Sequence, residues 1–273
     1  QTVTVSSLYV VLPHHLFREP PIPGEVERVL LLEEPLLFTQ FRFHRGKLVY
    51  HRATMGHYAE YLRSLGYRVS YREARELEHE GALESAISTA LFAEDAGESG
   101  ASAPPAEAPS SPHGEDATIY LVDPTDDWLS QRLRKAAKAV GAGLIFLDSP
   151  GFLLSGEERS GYAAGKKRLF MADFYRTLRQ NRDILMEGEE PVGGSYSFDQ
   201  ENRKKLPRGI ATPALPAYPE GPLIEEARKS VNRDFPEAPG AWHHLAPTTH
   251  EEAQEALDQF IRERLERFGD YQD

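Results

Sequence analysis

Cysteine is missing from this chain of 273 residues. That excludes a disulfide framework, a thiolate-bound zinc and an iron–sulfur cluster held by this chain alone. It fits a reducing, cytoplasmic setting. Also missing is any apolar run approaching the ~20 residues of a membrane span. The N-terminus has no basic stretch followed by an apolar core, so no secretory signal is read there. Gln1 is not an initiator, so the start reads as trimmed or extended. No Gly-rich loop runs into Lys-Ser or Lys-Thr, and no G-x-G-x-x-G follows a strand-like segment. Common nucleoside triphosphate and dinucleotide sites are therefore not expected. No Ser/His/Asp set, H-E-x-x-H or paired-carboxylate signature stands out, which argues against an independent hydrolase or other small-molecule enzyme.

Positive charge is in short supply. Lys and Arg number 31 against 43 Asp and Glu, a formal charge of -12. The field of the whole molecule therefore opposes nucleic acid without forbidding it. Part of the acidic excess is local: Glu94, Asp95, Glu98, Glu107, Glu115 and Asp116 lie in one stretch rich in Ala, Ser, Gly and Pro. Residues 94–116 have no periodicity and read as a flexible acidic insert. The length and the 40% hydrophobic content suit one large domain, or one domain and a substantial part of another.

What is there is an alternation. Leu8–Leu12, Val29–Leu32, Ile119–Val122 and Leu144–Leu147 are short continuous apolar runs, and Tyr67–Tyr71 alternates. Runs of this length suit strands buried on both faces of a parallel sheet. Between them, Leu48, His51, Arg52, Met55, Ala59, Leu62 and Leu65 share one helical face, and Gly66 reads as the stop. Ala82–Phe92 and Asp126–Val140 are further helices, the latter with Thr125 or Asp126 as N-cap and Gly141 past its end. The expected fold is α/β, a doubly wound, Rossmann-like parallel sheet over about residues 1–150. Residues 151–273 read as a mainly helical connector. It has helical patterns over Lys166–Leu185, Ile224–Val231 and Glu251–Phe268, a loop over Glu189–Pro207 and an extended linker over Pro207–Pro222.

The chemistry-bearing residues cluster after the first two strands. Pro13-His14-His15-Leu16 follows the first. Adjacent side chains in extended backbone point apart, which disfavours joint metal binding and leaves a turn whose polar side chains cap strand ends or a contact to a ligand. Glu33-Glu34 ends the second strand, either as a solvated pair or with one carboxylate accepting from a heteroaromatic ring or a ribityl hydroxyl. His44 and Lys47 have first-turn spacing and face the same strand-to-helix junction, the usual ligand position in an open α/β sheet. His51 and Arg52 lie beside the apolar face, where a structural role competes with ligand binding. Trp242-His243-His244 is a second His pair with a weaker case. Lys166-Lys167-Arg168, Arg176, Arg179, Arg182 and Arg203-Lys204-Lys205, interleaved with Phe170, Phe174 and Tyr175, make a locally basic region. It reads as a solvated face or as a docking face for a partner domain or nucleic acid.

Four segments together resemble the photolyase-related family, the bacterial cryptochrome and photolyase group that carries an iron–sulfur cluster. Val11-Leu12-Pro13-His14-His15-Leu16-Phe17 is similar to its strand-one motif in the Pro-His-Gln-Leu-Phe form. Phe43-His44-Arg45-Gly46-Lys47-Leu48 and on to Met55 resembles its His-Lys-Gln-Lys-Leu helix start. Met171-Ala172-Asp173-Phe174-Tyr175-Arg176 with Pro191 to Arg203 resembles the interdomain segment, the most specific of the four. Phe268-Gly269-Asp270-Tyr271-Gln272-Asp273 resembles the approach to the catalytic half. His15 stands where the family has Gln, and Arg45-Gly46 where it has Lys-Gln.

The resemblance implies the N-terminal half of a photolyase or cryptochrome. That half holds an antenna chromophore of ribityllumazine or flavin-like type, and FAD and the iron–sulfur cluster belong to a C-terminal domain of a longer parent protein. It places Pro13, His14, His15, Leu16, Glu33, Glu34, Phe43, His44 and Lys47 around the chromophore. It implies no catalytic residue and no metal in this chain, and no activity for the chain alone. The chain then reads as a piece of a longer parent or as a stand-alone relative. Its partners would be the chromophore, the parent's FAD domain and, only through the parent, DNA, in light-dependent repair or blue-light signalling. The alternative is a ligand-free docking domain that binds a partner or nucleic acid through the basic aromatic region.

Overall fold

A computed structural model describes residues 6–92, 117–198, 209, 216–243 and 246–271. The acidic stretch 94–116, Arg203-Lys204-Lys205, the linker up to residue 215 (Gly209 apart), His244 and Gln272-Asp273 lie outside the described residues.

The apolar runs become five parallel strands: β1 (Ser7–Val11), β2 (Arg28–Leu32), β3 (Arg68–Arg72), β4 (Thr118–Val122) and β5 (Gly143–Leu147). Their order is β3-β2-β1-β4-β5, a doubly wound α/β sheet. Tyr9 pairs with Val29 on one side and Tyr120 on the other. The continuous apolar runs follow from burial on both faces, because successive side chains alternate across a sheet. Leu8, Val10, Leu12, Leu30 and Leu32 join one core, and Tyr9, Val11, Val29 and Leu31 join the other.

Helices α3 (Ala82–Phe92) and α4 (Asp127–Ala139) supply Leu83, Ile87, Leu91, Leu129 and Leu133 to the first core. The second core is covered by α2 (Arg45–Ser64), which buries Leu48, Met55, Ala59 and Leu62, and by α7 (Pro222–Asp234), which buries Ile224, Ala227 and Val231. A short helix, α1 (Pro35–Phe38), follows β2 directly. Local chemistry sets the ends. Asp126 accepts the Leu129 N–H at 2.7 Å and caps α4. Gly66 and Gly141 take the left-handed conformation just past α2 and α4. Leu65, placed on the buried face by the pattern, is instead the exposed C-cap of α2.

The chain divides into two compact units, Gln1–Pro150 with Ala217–Ala253, and Gly151–Pro216 with Gln254–Asp273. Residues 217–253 thus return to the α/β unit, where α7 lies against α2. In the second unit, α5 (Gly156–Ala163) begins with a capping box between Ser155 and Glu158. Helix α6 (Met171–Arg182) is shorter than its sequence pattern, and a two-residue hairpin, β6 (Met186–Glu187) with β7 (Glu190–Pro191), occupies the start of the expected loop. The last helix, α8 (His250–Glu263), gives way at Leu265 to a tighter helical turn. Its start is boxed by Thr249 and Glu252, each bonding the other's backbone N–H, at 3.2 and 3.3 Å. Among the described residues of the second unit only Arg179 and Pro191 are buried. Among all described residues, no helix is long and apolar enough to cross a membrane.

Candidate functional site

All five strands point the same way, so their C-terminal ends share one edge. From β1 the chain winds to β2 on one side, whereas β4 lies on the other. Loops after β1 and β4 therefore diverge and leave a crevice at the switch point.

Three strand ends and two helices furnish that crevice. After β1, Pro13 is buried, His14 is exposed and His15 is buried, with the two imidazole rings 4.1 Å apart. Burial pushes the His15 pKa down to about 3, helped by the neighbouring His14 and opposed by the Asp123 carbonyl. His15 is therefore a neutral imidazole, and its Nδ1 meets no hydrogen-bond partner among the described residues. The Pro124 backbone and the Asp126 carboxylate face His14 from the loop after β4. Thr125 turns that loop with φ 54, its N–H donating to Asp123 Oδ1 at 2.8 Å.

Glu34, at the end of β2, is fully buried. It occupies the N-cap position of α1, yet its side chain makes no capping bond. Neither of its oxygens accepts a hydrogen bond of ordinary geometry among the described residues. Arg132 of α4 brings Nε to 3.3 Å from Oε1, and that Nε is unbonded too. Burial raises the Glu34 pKa, with Arg132 and the Leu36 N–H working against it. From α2, His51 is pushed down to about 4 by burial, with the charges of Lys47 and His14 adding to the effect. Burial also lowers Lys47, whose ammonium sits 3.4 Å over the Phe43 ring.

The structure thus brings His14, His15, Glu34 and Lys47 to one edge and sends other candidates elsewhere. Glu33 is buried in a structural network. Its oxygens accept from Arg52 Nε and Nη2 at 2.7 and 2.6 Å, from the Tyr71 hydroxyl at 2.8 Å and from the Ala74 N–H at 2.9 Å. His44 caps α2 by accepting the Gly46 N–H at Nδ1, 3.0 Å away, and its ring fills the space a side chain at Gly240 would need. Phe43 lies edge-on to Phe41. Leu16 is half-buried and its carbonyl meets His250 Nε2 at 2.9 Å.

Arg132 carries no signal in the sequence. It is one of several basic residues on an amphipathic helix, and only the fold sets it beside Glu34. Arg52 is paired with Asp234 at 2.7 Å as well as with Glu33, so it ties α2 to both β2 and α7. In the second unit the basic residues are largely spent locally. Arg179 donates to the Ile184 and Leu185 carbonyls, Arg182 pairs with Glu158 at 2.9 Å, and Lys166 sits 3.2 Å over the Tyr162 ring. Among the described residues no group of three or more His, Asp or Glu is placed to hold a metal ion.

Comparison with known proteins bears on the same region. The family described as deoxyribodipyrimidine photo-lyase-related protein matches residues 9–246. A (6-4) photolyase of Agrobacterium fabrum is 29% identical over 234 residues, which cover 84% of this chain and 42% of that protein. An uncharacterised protein of Acanthamoeba polyphaga mimivirus is 28% identical over 217 residues, 76% of this chain and 98% of the viral protein. The chain therefore spans less than half of the bacterial relative and nearly all of the viral one.

Proposed function

The chain belongs to the deoxyribodipyrimidine photo-lyase-related protein family, and from that premise we propose that its α/β unit binds an antenna chromophore. The observation that carries the proposal is the pair of buried polar side chains short of hydrogen bonds at the C-terminal edge of the sheet, Glu34 and His15. A buried carboxylate whose charge meets only a long contact with Arg132 is short of hydrogen bonds, and that costs free energy, as does a buried ring nitrogen without a partner. A planar heteroaromatic ligand with an N–H and hydroxyl groups offsets that cost, and a ribityllumazine or a related flavin-like ring has both. Glu34 would accept from such a donor, with Arg132 Nε available to a ligand carbonyl. His15, neutral at physiological pH, supplies an acceptor at Nδ1 or a donor there, according to its tautomer. His14, Lys47 and His51 border the ligand.

When bound, the chromophore absorbs light and passes the excitation on, which needs a rigid pocket and no catalytic side chain. The residues of this chain bind, orient and exclude water. The acceptor would be FAD in a longer parent protein, where an iron–sulfur cluster would also belong, because this chain has no Cys to ligate one. Light-dependent DNA repair or blue-light signalling would then be an activity of the parent. The exposed Leu169, Phe170, Met171 and Leu185 of the second unit suit contact with the rest of such a parent. They also favour a second reading, a docking role for a partner that does not need the chromophore.

The test is spectroscopic. The chain is purified from a host that makes flavins and lumazines, and its near-ultraviolet and blue absorption is recorded. A band lost on denaturation, and absent from Glu34→Gln and His15→Leu variants that remain folded, is expected. A colourless protein that also takes up no added ribityllumazine or flavin would sink the antenna reading and leave docking.

A further inference from the structure

We propose that the α/β unit carries a second ligand site, a cavity of about 460 Å³ that takes an organic cation, an ammonium or guanidinium on an apolar stem. It lies between α2 and the first turn of α8 and is bordered by Leu16 of the loop after β1. All of its lining residues belong to the α/β unit. His14, His15, Glu34, Lys47 and His51 are not among them, so this cavity is separate from the antenna crevice and does not rest on the antenna reading.

Its wall is a cluster of rings. Tyr58 and Tyr61 have centroids 5.9 Å apart, and the His250 ring stands edge-on to them at 5.7 and 5.1 Å. Tyr50 lines the same space from earlier in α2. Two of the hydroxyls are engaged: Tyr58 donates to the Phe17 carbonyl at 2.9 Å and Tyr61 to the Arg18 carbonyl at 2.7 Å. These two residues therefore offer a ligand their π surface, whose negative face attracts a cation. His250 Nε2 meets the Leu16 carbonyl at 2.9 Å. A carbonyl only accepts, so this nitrogen holds a proton, and in the neutral ring Nδ1 is the acceptor. The volume falls in the range of small-molecule pockets, roughly 300–1,000 Å³.

The formal charge around it has one sign. Glu60 of α2 and Glu251 of α8 line the cavity, both exposed, and neither is held in an ion pair among the described residues. Among the described residues no Lys or Arg lines it. The N-terminus of α8 would by itself favour an anion. The Glu252 carboxylate already takes the Thr248 and Thr249 N–H groups, at 2.7 and 3.3 Å, and offsets that helix end. Solvated carboxylates on an open surface hold a cation only weakly. Here the rings receive the apolar stem, and the carboxylates select the charge it carries.

The probe is phenethylammonium, with 2-phenylethanol and 3-phenylpropionate as neutral and anionic forms of the same frame, each titrated calorimetrically into the full chain at neutral pH. One saturable site per chain is expected, roughly tenfold tighter for the ammonium than for the alcohol, closed to the propionate and weakened by salt. Glu60→Gln combined with Glu251→Gln, both at exposed positions, should weaken the ammonium roughly tenfold and leave the alcohol unchanged, with circular dichroism unaltered. Tyr61→Leu removes the ring and keeps apolar bulk, so it should weaken the ammonium more than the alcohol. Glu157→Gln, at an exposed acid of the second unit, should change neither, which separates a site from the general pull of a chain of charge -12 on cations. Absence of a saturable site overturns the proposal. So does alcohol binding as tight as that of the ammonium, or ammonium binding unchanged in the folded double variant or in folded Tyr61→Leu. Any antenna band should be the same in the double variant as in the native chain, so the two readings fail separately.

Discussion

The Arg52 guanidinium grips both oxygens of Glu33, Nε to Oε1 at 2.7 Å and Nη2 to Oε2 at 2.6 Å, while Glu34, the next residue, is equally buried and has no such partner. The two carboxylates have the same chemistry and opposite roles. One is fully coordinated and holds the strand end in place. The other has only Arg132 Nε at 3.3 Å, and neither of its oxygens accepts a hydrogen bond of ordinary geometry among the described residues.

Removing Arg52 should be severely destabilising. Arg52→Ala leaves Glu33 as a buried charge without its counter-ion, while Asp234 keeps Arg233, and breaking a buried pair this way costs about 3–5 kcal/mol. Urea denaturation measures it. Arg52→Lys should recover only a part, because an ammonium cannot satisfy both oxygens of Glu33 and reach Asp234.

Glu34→Gln should act in the opposite sense on stability. The folded state raises the Glu34 pKa, so this group contributes stability when protonated and loses it as pH rises through the folded value. The ligand-free variant should melt at a higher temperature than the native chain at neutral pH, with the gap narrowing in acid. Chromophore uptake should fall at the same time. A variant that is stabilised and still coloured would remove Glu34 from the binding site.

The buried His15 and the half-buried His51 predict a different pH response. His15 and His51 have folded pKa values of about 3 and about 4, below the ordinary value of 6.5. Between those values and 6.5 the unfolded chain binds more protons, so stability is complete above 6.5 and is lost as pH falls through the window. Each group contributes up to about 1.4 kcal/mol per pH unit there. Asp234, held low by Arg233 and Arg52 against its burial, loses stability in the same direction but only in stronger acid. His14 and Lys47, which act on His51, are themselves lowered by burial, and Glu34 is raised. His15→Leu should flatten the slope of unfolding free energy between pH 4 and 6.5 seen in pH-dependent denaturation.

Gly240→Ala tests how His44 is used. Gly240 has φ 78, a conformation that disfavours a side chain, and an added Cβ would strike the His44 ring. A loss of roughly 1–3 kcal/mol is expected from the strained backbone and the clash. His44→Ala in the same background should return the part due to the clash, and a double-mutant cycle by thermal denaturation reads that coupling. Independent effects would mean that His44 faces elsewhere in solution.

The strands, most helix ends and the family were legible along the chain because their causes are local. Two-sided burial writes itself as continuous apolar runs in β1, β2 and β4, and capping chemistry marks Asp126, Gly66 and Gly141. The candidate site was legible only as a neighbourhood: Pro13-His14-His15 and Glu33-Glu34 follow β1 and β2 at the C-terminal edge of the sheet. The division of labour within it was not. Adjacent glutamates look alike in sequence. Arg52, 19 residues on from Glu33, and Asp234, 182 residues beyond Arg52, meet only after α2 and α7 have packed. The same holds for Arg132 beside Glu34 and for His44 against Gly240. Patterning is set by the water each residue avoids, and it survives in a single chain read from end to end. Pairing of buried charges depends on which partner arrives within hydrogen-bond reach, and that is a property of the packed molecule alone.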